Sequence, residues 1–137
     1  MTENETKRAA TRSALRASES RFRAMFEGLP IGTALLDLQA RYVAVNRSLE
    51  AMLGYPAAEI LGTHIWEHYP DKSSETPMAY LGKLLNGSAD SYRREQRFVR
   101  KDGKEIFAQV TAALLRDEFG TPEFGLCMVE DITERLL

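Results

Sequence analysis

The chain has 137 residues, 44% of them hydrophobic and 28% charged, with a formal net charge of −2. That length suits one domain with a real core, and the near-neutral balance gives no electrostatic case for nucleic acid or an anionic membrane. A lone Cys127 excludes an internal disulfide; the polar N-terminus is not a signal peptide and no apolar run reaches membrane-spanning length, so a soluble, cytoplasmic domain without membrane contact is expected.

From about Thr6 to Glu27 no Gly or Pro occurs. Ala14, Leu15, Ala17, Phe22, Met25 and Phe26 recur there at near-helical period, which predicts an amphipathic helix. Its first half is weakly hydrophobic, the composition of a helix that leans on a partner chain or an upstream helix; a frayed solvated end also fits residues 1–14. Gly28-Leu29-Pro30 ends it. Residues 31–37 and 41–45 then read as two strands around a tight turn at Leu38-Gln39-Ala40. Asn46 is placed to cap "RSLEAMLG", a short helix closed by Gly54, and "AAEILG" adds a single turn stopped at Gly62.

His64-Ile65-Trp66-Glu67-His68 follows and uses both histidines of the chain. Read as H-x-x-E-H, it fits the inverted zinc peptidases, in which two imidazoles lie one helical turn apart. Gly62 and Tyr69-Pro70 leave only a turn or two, too short to hold two ligands rigidly. The downstream candidates for a third ligand, Glu105, Glu118, Glu123, Glu130 and Glu134, fall on strands, turns or the far end of the chain. The spacing therefore reads as an accident, with histidines at the surface or a pocket rim.

Beyond Asp71 a longer helix is predicted, capped by Thr76, with Pro77 in its first turn and Asn86-Gly87 closing it. "SYRREQRFVRKDG", "KEIFAQVTAALLRD" and "EFGLCMVEDI" read as three antiparallel strands, and "TERLL" as the opening of a helix. The local basic clusters Arg93-Arg94 and Arg100-Lys101 read as a solvated strand face. The expected fold is α+β: one five-stranded antiparallel sheet with short helices over one face, plus the N-terminal helix.

The order and spacing of "FRAMFEGLPIGTALLDLQARYVAVNRSLEAMLGYPAAEILG", Lys101-Asp102-Gly103 and the terminal Asp131-Ile132-Thr133 resemble a PAS domain, over about Ser20 to Arg135. The resemblance implies an N-terminal dimerisation helix at 1–27, a PAS domain at 28–133 and the start of a C-terminal linker helix at 134–137. It implies a pocket between the inner sheet face and the short helices. Ala34, Leu36, Val45, Leu49, Met52, Leu53, Ile60, Ile65, Leu81, Phe98, Val110, Cys127 and Val129 would line it, with Trp66, His68 and Tyr80 able to orient a ligand. Asp131 and Thr133 would relay a signal from the last strand into the outgoing helix. Leu15, Phe22, Met25 and Phe26 would form a homodimer face.

Members of the family hold haem, flavin, a small metabolite or nothing. The reactive Cys of the flavin light sensors aligns with Ile65, and their ring-binding Asn and Gln align with Phe98, Ala108 and Val129. An isoalloxazine edge would leave polar atoms unpaired against that apolar wall, at about 1–3 kcal/mol each. Flavin adduct chemistry is not expected. Haem usually takes a His from the long helix, and 76–86 contains none, which leaves only His64 or His68. A small hydrophobic ligand and a plain packed core remain open.

Three functions follow. The first is a sensory module that relays to an effector in the same parent chain, such as a histidine kinase or cyclic-dinucleotide enzyme; an outgoing helix that stops at "TERLL" favours it. The second is a ligand-free dimerisation or interaction domain. The third is the zinc hydrolase. No Ser-His-Asp or Cys-His constellation and no Gly-rich phosphate loop is visible, so a non-enzymatic domain is expected.

Overall fold

Asn46 organises the first third of the molecule. In the computed structural model, which describes residues 2–136, its side chain is fully buried and makes four hydrogen bonds. Its Oδ1 accepts from the Leu49 N–H at 3.1 Å and so caps α2 (Arg47–Leu53). The same oxygen accepts from the Thr33 N–H at 2.9 Å on β1 (Gly32–Leu36). Its Nδ2 donates to the carbonyls of Phe26 and Ile31 at 3.0 Å each. One amide thus ties the end of α1 (Glu3–Gly28), the entry to β1 and the start of α2.

Between β1 and β2 (Tyr42–Val45) the Asp37 Oδ1 accepts from the Gln39 and Arg41 N–H groups at 2.9 Å each. That Asx-type turn carries Ala40 at φ 64°. At the end of α2, Gly54 takes φ 77° and its N–H donates to Glu50 O, a left-handed cap that suits glycine. After α3 (Ala57–Ile60), Ile65–His68 forms a 3-10 turn.

The helix α4 spans Glu75–Leu85. Thr76, expected as its cap, lies inside its first turn. The Ser73 hydroxyl instead accepts the Glu75 N–H at 3.2 Å, and the first helical bond runs from Met78 N–H to Ser74 O. Pro77 sits where a missing N–H costs no intrahelical bond.

β3 (Ser91–Val99), β4 (Glu105–Arg116) and β5 (Pro122–Asp131) complete the sheet in the order β2-β1-β5-β4-β3, all neighbours antiparallel. β5 lies at the centre, paired with β1 and β4. Inward-facing residues alternate with outward ones along these strands. Ala34, Leu36, Phe98, Ile106, Ala108, Val110, Ala112, Cys127 and Val129 pack under Leu49, Leu53, Ile60 and Ile65 in one cluster. Burying each large aliphatic of that layer contributes about 1.5–3 kcal/mol.

The basic clusters do not form one solvated face. Arg93 is exposed, but Arg94 points inward from β3. Arg100 Nη1 donates to Met52 O at 2.7 Å and Lys101 N–H to Leu53 O at 2.9 Å, so the β3–β4 turn supplies donors to the last carbonyls of α2. Alternation along a strand cannot be read from charge when a charged side chain occupies an inward position.

Candidate ligand pocket and output junction

Two small cavities separate the inner sheet face from the helical cover. One, of about 20 Å³, lies under α4 among Leu36, Ile65, Leu81, Leu84, Tyr92 and Cys127. The other, of about 10 Å³, lies among Ala34, Tyr42, Ile65, Tyr69, Tyr92, Arg94, Phe98, Val110, Cys127 and Val129. Each is close to the volume that admits a single water, so the interior is nearly closed. Ile65, Tyr92 and Cys127 wall both and form the partition between them.

Of the residues singled out above, Ala34, Leu36, Ile65, Leu81, Phe98, Val110, Cys127 and Val129 line one or both cavities. Val45, Leu49, Leu53 and Ile60 are buried in the core, with Met52 half-buried against it, and none of these five lines either cavity. Trp66, His68 and Tyr80 line neither. Trp66 stacks on His64 with ring centroids 4.3 Å apart. His68 is buried edge-on to Tyr55, at 4.8 Å, and its Nδ1 has no partner. Burial lowers the His68 pKa; Glu67 opposes this and Lys72 adds to it. Tyr80 lies 4.5 Å from Tyr92 and covers it from α4.

The 3-10 geometry also separates the two histidines. His64 precedes the turn in extended conformation and His68 ends it. Residues i and i+3 eclipse in a 3-10 turn, so the i, i+4 pair does not share a face as it would on an α-helix. Among the described residues, no group of three or more His, Cys, Asp or Glu side chains is placed to hold a metal ion.

The polar groups at the cavities are ones the pocket reading of the sequence did not single out: Asp37 at the cavity under α4, Tyr42, Tyr69 and Arg94 at the other, and Tyr92 at both. Arg94 Nη2 donates to the Tyr69 hydroxyl at 3.1 Å and Nη1 to Gln96 Oε1. Its guanidinium carbon lies 5.7 Å from the Tyr69 ring centroid and 5.5 Å from that of Tyr80, a range in which cation–π attraction acts. Its Nε is buried with no acceptor, and an orphaned charged donor costs upward of about 1–3 kcal/mol. Burial pushes Tyr92 up to about 12, against the opposing Arg94. Burial also raises Tyr42 and Tyr69 well above the usual tyrosine value. It pushes Cys127 up to about 12 as well, so the sulfur is a neutral thiol at pH 7 and not a nucleophile. Period-2 alternation counted from Phe98 back through Gln96 and Arg94 to Tyr92 was the available signal for this cluster.

The output end lies on β5, four residues beyond Cys127. Asp131 Oδ1 accepts from the Thr133 N–H at 2.9 Å and from its hydroxyl. Thr133 Oγ1 in turn accepts the Phe107 N–H at 3.0 Å, and the Ile132 N–H donates to Phe107 O at 2.8 Å. This clasp holds the 3-10 turn Thr133–Leu136 against β4.

The other exposed feature is α1. Only Phe26 of this helix is buried, while Leu15, Phe22 and Met25 are 58%, 50% and 61% exposed. Phe22 stacks on Phe26 at 5.7 Å beside an open groove of about 570 Å³ bounded by β2 and α3.

An antiparallel sheet covered by short helices, with its central strand running from the interior to an exit turn, defines an α+β domain with one sheet and one cover layer. The sequence profile described as "PAS fold" matches residues 26–137, and the chain belongs to that family. It is 34% identical over 133 residues to the C4-dicarboxylate transport sensor protein DctS of Rhodobacter capsulatus, covering 96% of this chain and 20% of that protein. It is 28% identical over 125 residues to the probable diguanylate cyclase DgcE of Escherichia coli, covering 91% of this chain and 11% of that protein. The chain thus spans about a tenth to a fifth of the length of these relatives. The PAS domain of an HTR-like protein from Haloarcula marismortui superposes with a TM-score of 0.76 at 30% identity, over 92% of this chain and 99% of that one. No described helix is long and apolar enough to cross a membrane.

Proposed function

We propose that this domain is the sensory input of a larger signalling protein, in which a small molecule entering the interior pocket changes the geometry of β5 and thereby the outgoing C-terminal segment. The effector is a histidine kinase or a cyclic-dinucleotide enzyme in the same parent chain, and the domain itself binds rather than catalyses. It works in the cytoplasm as a homodimer through Leu15, Phe22 and Met25 of α1. The observation that carries this reading is the continuity of one strand. Cys127 and Val129 wall the cavities, and Asp131, two residues on, holds the exit clasp. Similarity to a sensor histidine kinase, a transport sensor and a probable diguanylate cyclase supports the choice of effectors.

A second reading has its own support. Cavities of about 10 and 20 Å³ are too small for any metabolite as they stand, and α1 leaves its apolar side chains unpartnered, as in a ligand-free dimerisation module. Native mass spectrometry of the purified chain with a denatured control separates the two. A dimer carrying extra mass that disappears on denaturation is expected for the sensor. A dimer of clean polypeptide mass would favour the second reading, and a monomer would remove the α1 interface from both.

The relay makes a further prediction. Asp131→Ala should free Thr133 and reduce hydrogen-exchange protection of the Phe107 amide roughly fivefold, the equivalent of losing a cap bond of about 1 kcal/mol. Pocket occupancy should stay unchanged. In the parent protein the same variant should uncouple effector output from the pocket, and a variant that still transmits normally would remove Asp131 from the relay.

A further inference from the structure

Strand β3 carries an arginine where the fold calls for an apolar or neutral side chain. Arg94 lies at an inward position of the sheet, paired in register with Val110, and is the one basic residue walling either cavity among the described residues. No carboxylate pairs with it there, although seven other ion pairs form elsewhere in the described chain. The partners it has, the Tyr69 hydroxyl and the Gln96 amide oxygen, are neutral and take one N–H from each terminal nitrogen, which leaves each with a second N–H beside the Nε–H. Its Nε is buried and donates to nothing. A guanidinium is always charged and presents its donors as a planar fork, so an inward arginine with an idle Nε is complementary to an acceptor that brings two oxygens and one negative charge.

From this geometry we infer that the pocket's ligand is a small organic carboxylate, its two oxygens taken by Arg94 and its hydrocarbon body lying over Ala34, Val110, Cys127 and Val129. The inference rests on the pocket reading above and specifies its chemistry. Arg94 is the one cation among apolar and tyrosine walls, and the carboxylate that lines the cavity under α4, Asp37, is already paired with Arg41 at 2.9 Å, so one added negative charge matches the site better than a doubly charged phosphate. The two cavities hold only about 20 and about 10 Å³, so room for the body comes from the space that Tyr92 vacates when it leaves the partition it forms with Ile65 and Cys127. Tyr92 is half-buried beneath Tyr80 of α4, with ring centroids 4.5 Å apart, so opening one cavity into the other requires the two rings to move together. The cover there is light, because α4 buries only Pro77, Leu81 and Leu84.

The test is an NMR titration of the isotope-labelled chain at constant ionic strength. The probes are acetate, propionate and benzoate, each against its neutral amide: acetamide, propionamide and benzamide. Readouts are the Arg94 side-chain Nε–H resonance and the methyls of Ile65 and Val129. At least one carboxylate is expected to shift all three saturably, with an apparent Kd at least tenfold lower than that of its amide. Arg94→Met should abolish that preference while leaving the core methyl spectrum in place. If the variant does not fold, the carboxylate–amide comparison in the unaltered chain decides alone. Equal binding of amide and acid, with Ile65 and Val129 shifted, would overturn the carboxylate assignment and leave the pocket reading standing. No saturable shift from any probe would overturn the carboxylate assignment. A ligand-free dimer in the mass spectrum would then bring down the pocket reading as well.

Discussion

Asn46→Ala is expected to destabilise the domain by about 3–5 kcal/mol, measured by urea denaturation followed by far-ultraviolet circular dichroism. The substitution removes both ends of a fully buried amide. Left behind are the Thr33 and Leu49 N–H groups and the Phe26 and Ile31 carbonyls, four backbone groups that lose a side-chain partner. Each unmet group costs about 1–3 kcal/mol, and the sum is reduced where the backbone relaxes toward water. The variant also unfastens α1 from β1, so the exit angle of the helix should become heterogeneous before the domain melts. Asn46→Asp is a sharper probe. It keeps the acceptor for Thr33 and Leu49 but sets a buried negative charge beside two carbonyl oxygens. Its folded-state pKa would be raised, so its stability should improve as pH falls through the carboxylate range, when the protonated group can donate again. A loss below 1 kcal/mol for Asn46→Ala would show that the four bonds do not organise the fold.

Leu49→Ala should cost about 2–5 kcal/mol, because the side chain is completely buried and its removal leaves a void that the surrounding sheet closes only in part. The more informative result is its coupling to Gly32. A methyl placed on Gly32 would lie 3.1 Å from Leu49 Cδ1, 3.1 Å from the Val129 carbonyl oxygen and 3.2 Å from the end of Met52. The carbonyl belongs to a strand paired directly with Gly32 and cannot step aside cheaply. Gly32→Ala alone should therefore destabilise. Combined with Leu49→Ala, one of the three obstacles is gone and the new methyl occupies part of the void. The double variant should be more stable than the sum of the single effects by at least about 0.5 kcal/mol in a double-mutant cycle. Strict additivity would mean that the Val129 carbonyl, not Leu49, sets the limit at Gly32.

The site was less legible than the fold, for a reason visible in individual residues. The apolar members of the cavity wall, such as Ala34, Val110 and Val129, follow from the alternation along β1, β4 and β5. His68 and Tyr80 were attractive as ligand-orienting groups because their chemistry suits the role. In the fold His68 turns against Tyr55 and Tyr80 covers Tyr92 from outside. The groups that face the interior are Tyr42, Tyr69, Tyr92 and Arg94, and Arg94 sits in a run of charged residues that reads as solvent-facing until the register with Val110 is known.

The residues alone settle whatever depends on near neighbours in the chain. Asn46 three residues before Leu49 makes a helix cap, Gly54 a left-handed stop, and Asp131 two residues before Thr133 a turn. These need only local backbone geometry, and together with strand alternation they specify the α+β order. The tertiary structure alone decides whatever depends on groups far apart in sequence. It places the Asn46 amide against Phe26, twenty residues away, the Arg100 guanidinium on the carbonyls of α2, and the Arg94 guanidinium beside Tyr69 with one donor unmet. It also shuts the pocket to two near-water-sized voids. Such outcomes follow from the packing of sheet against cover, where a few tenths of an ångström separate a filled core from a binding site, and local pattern carries no information at that scale.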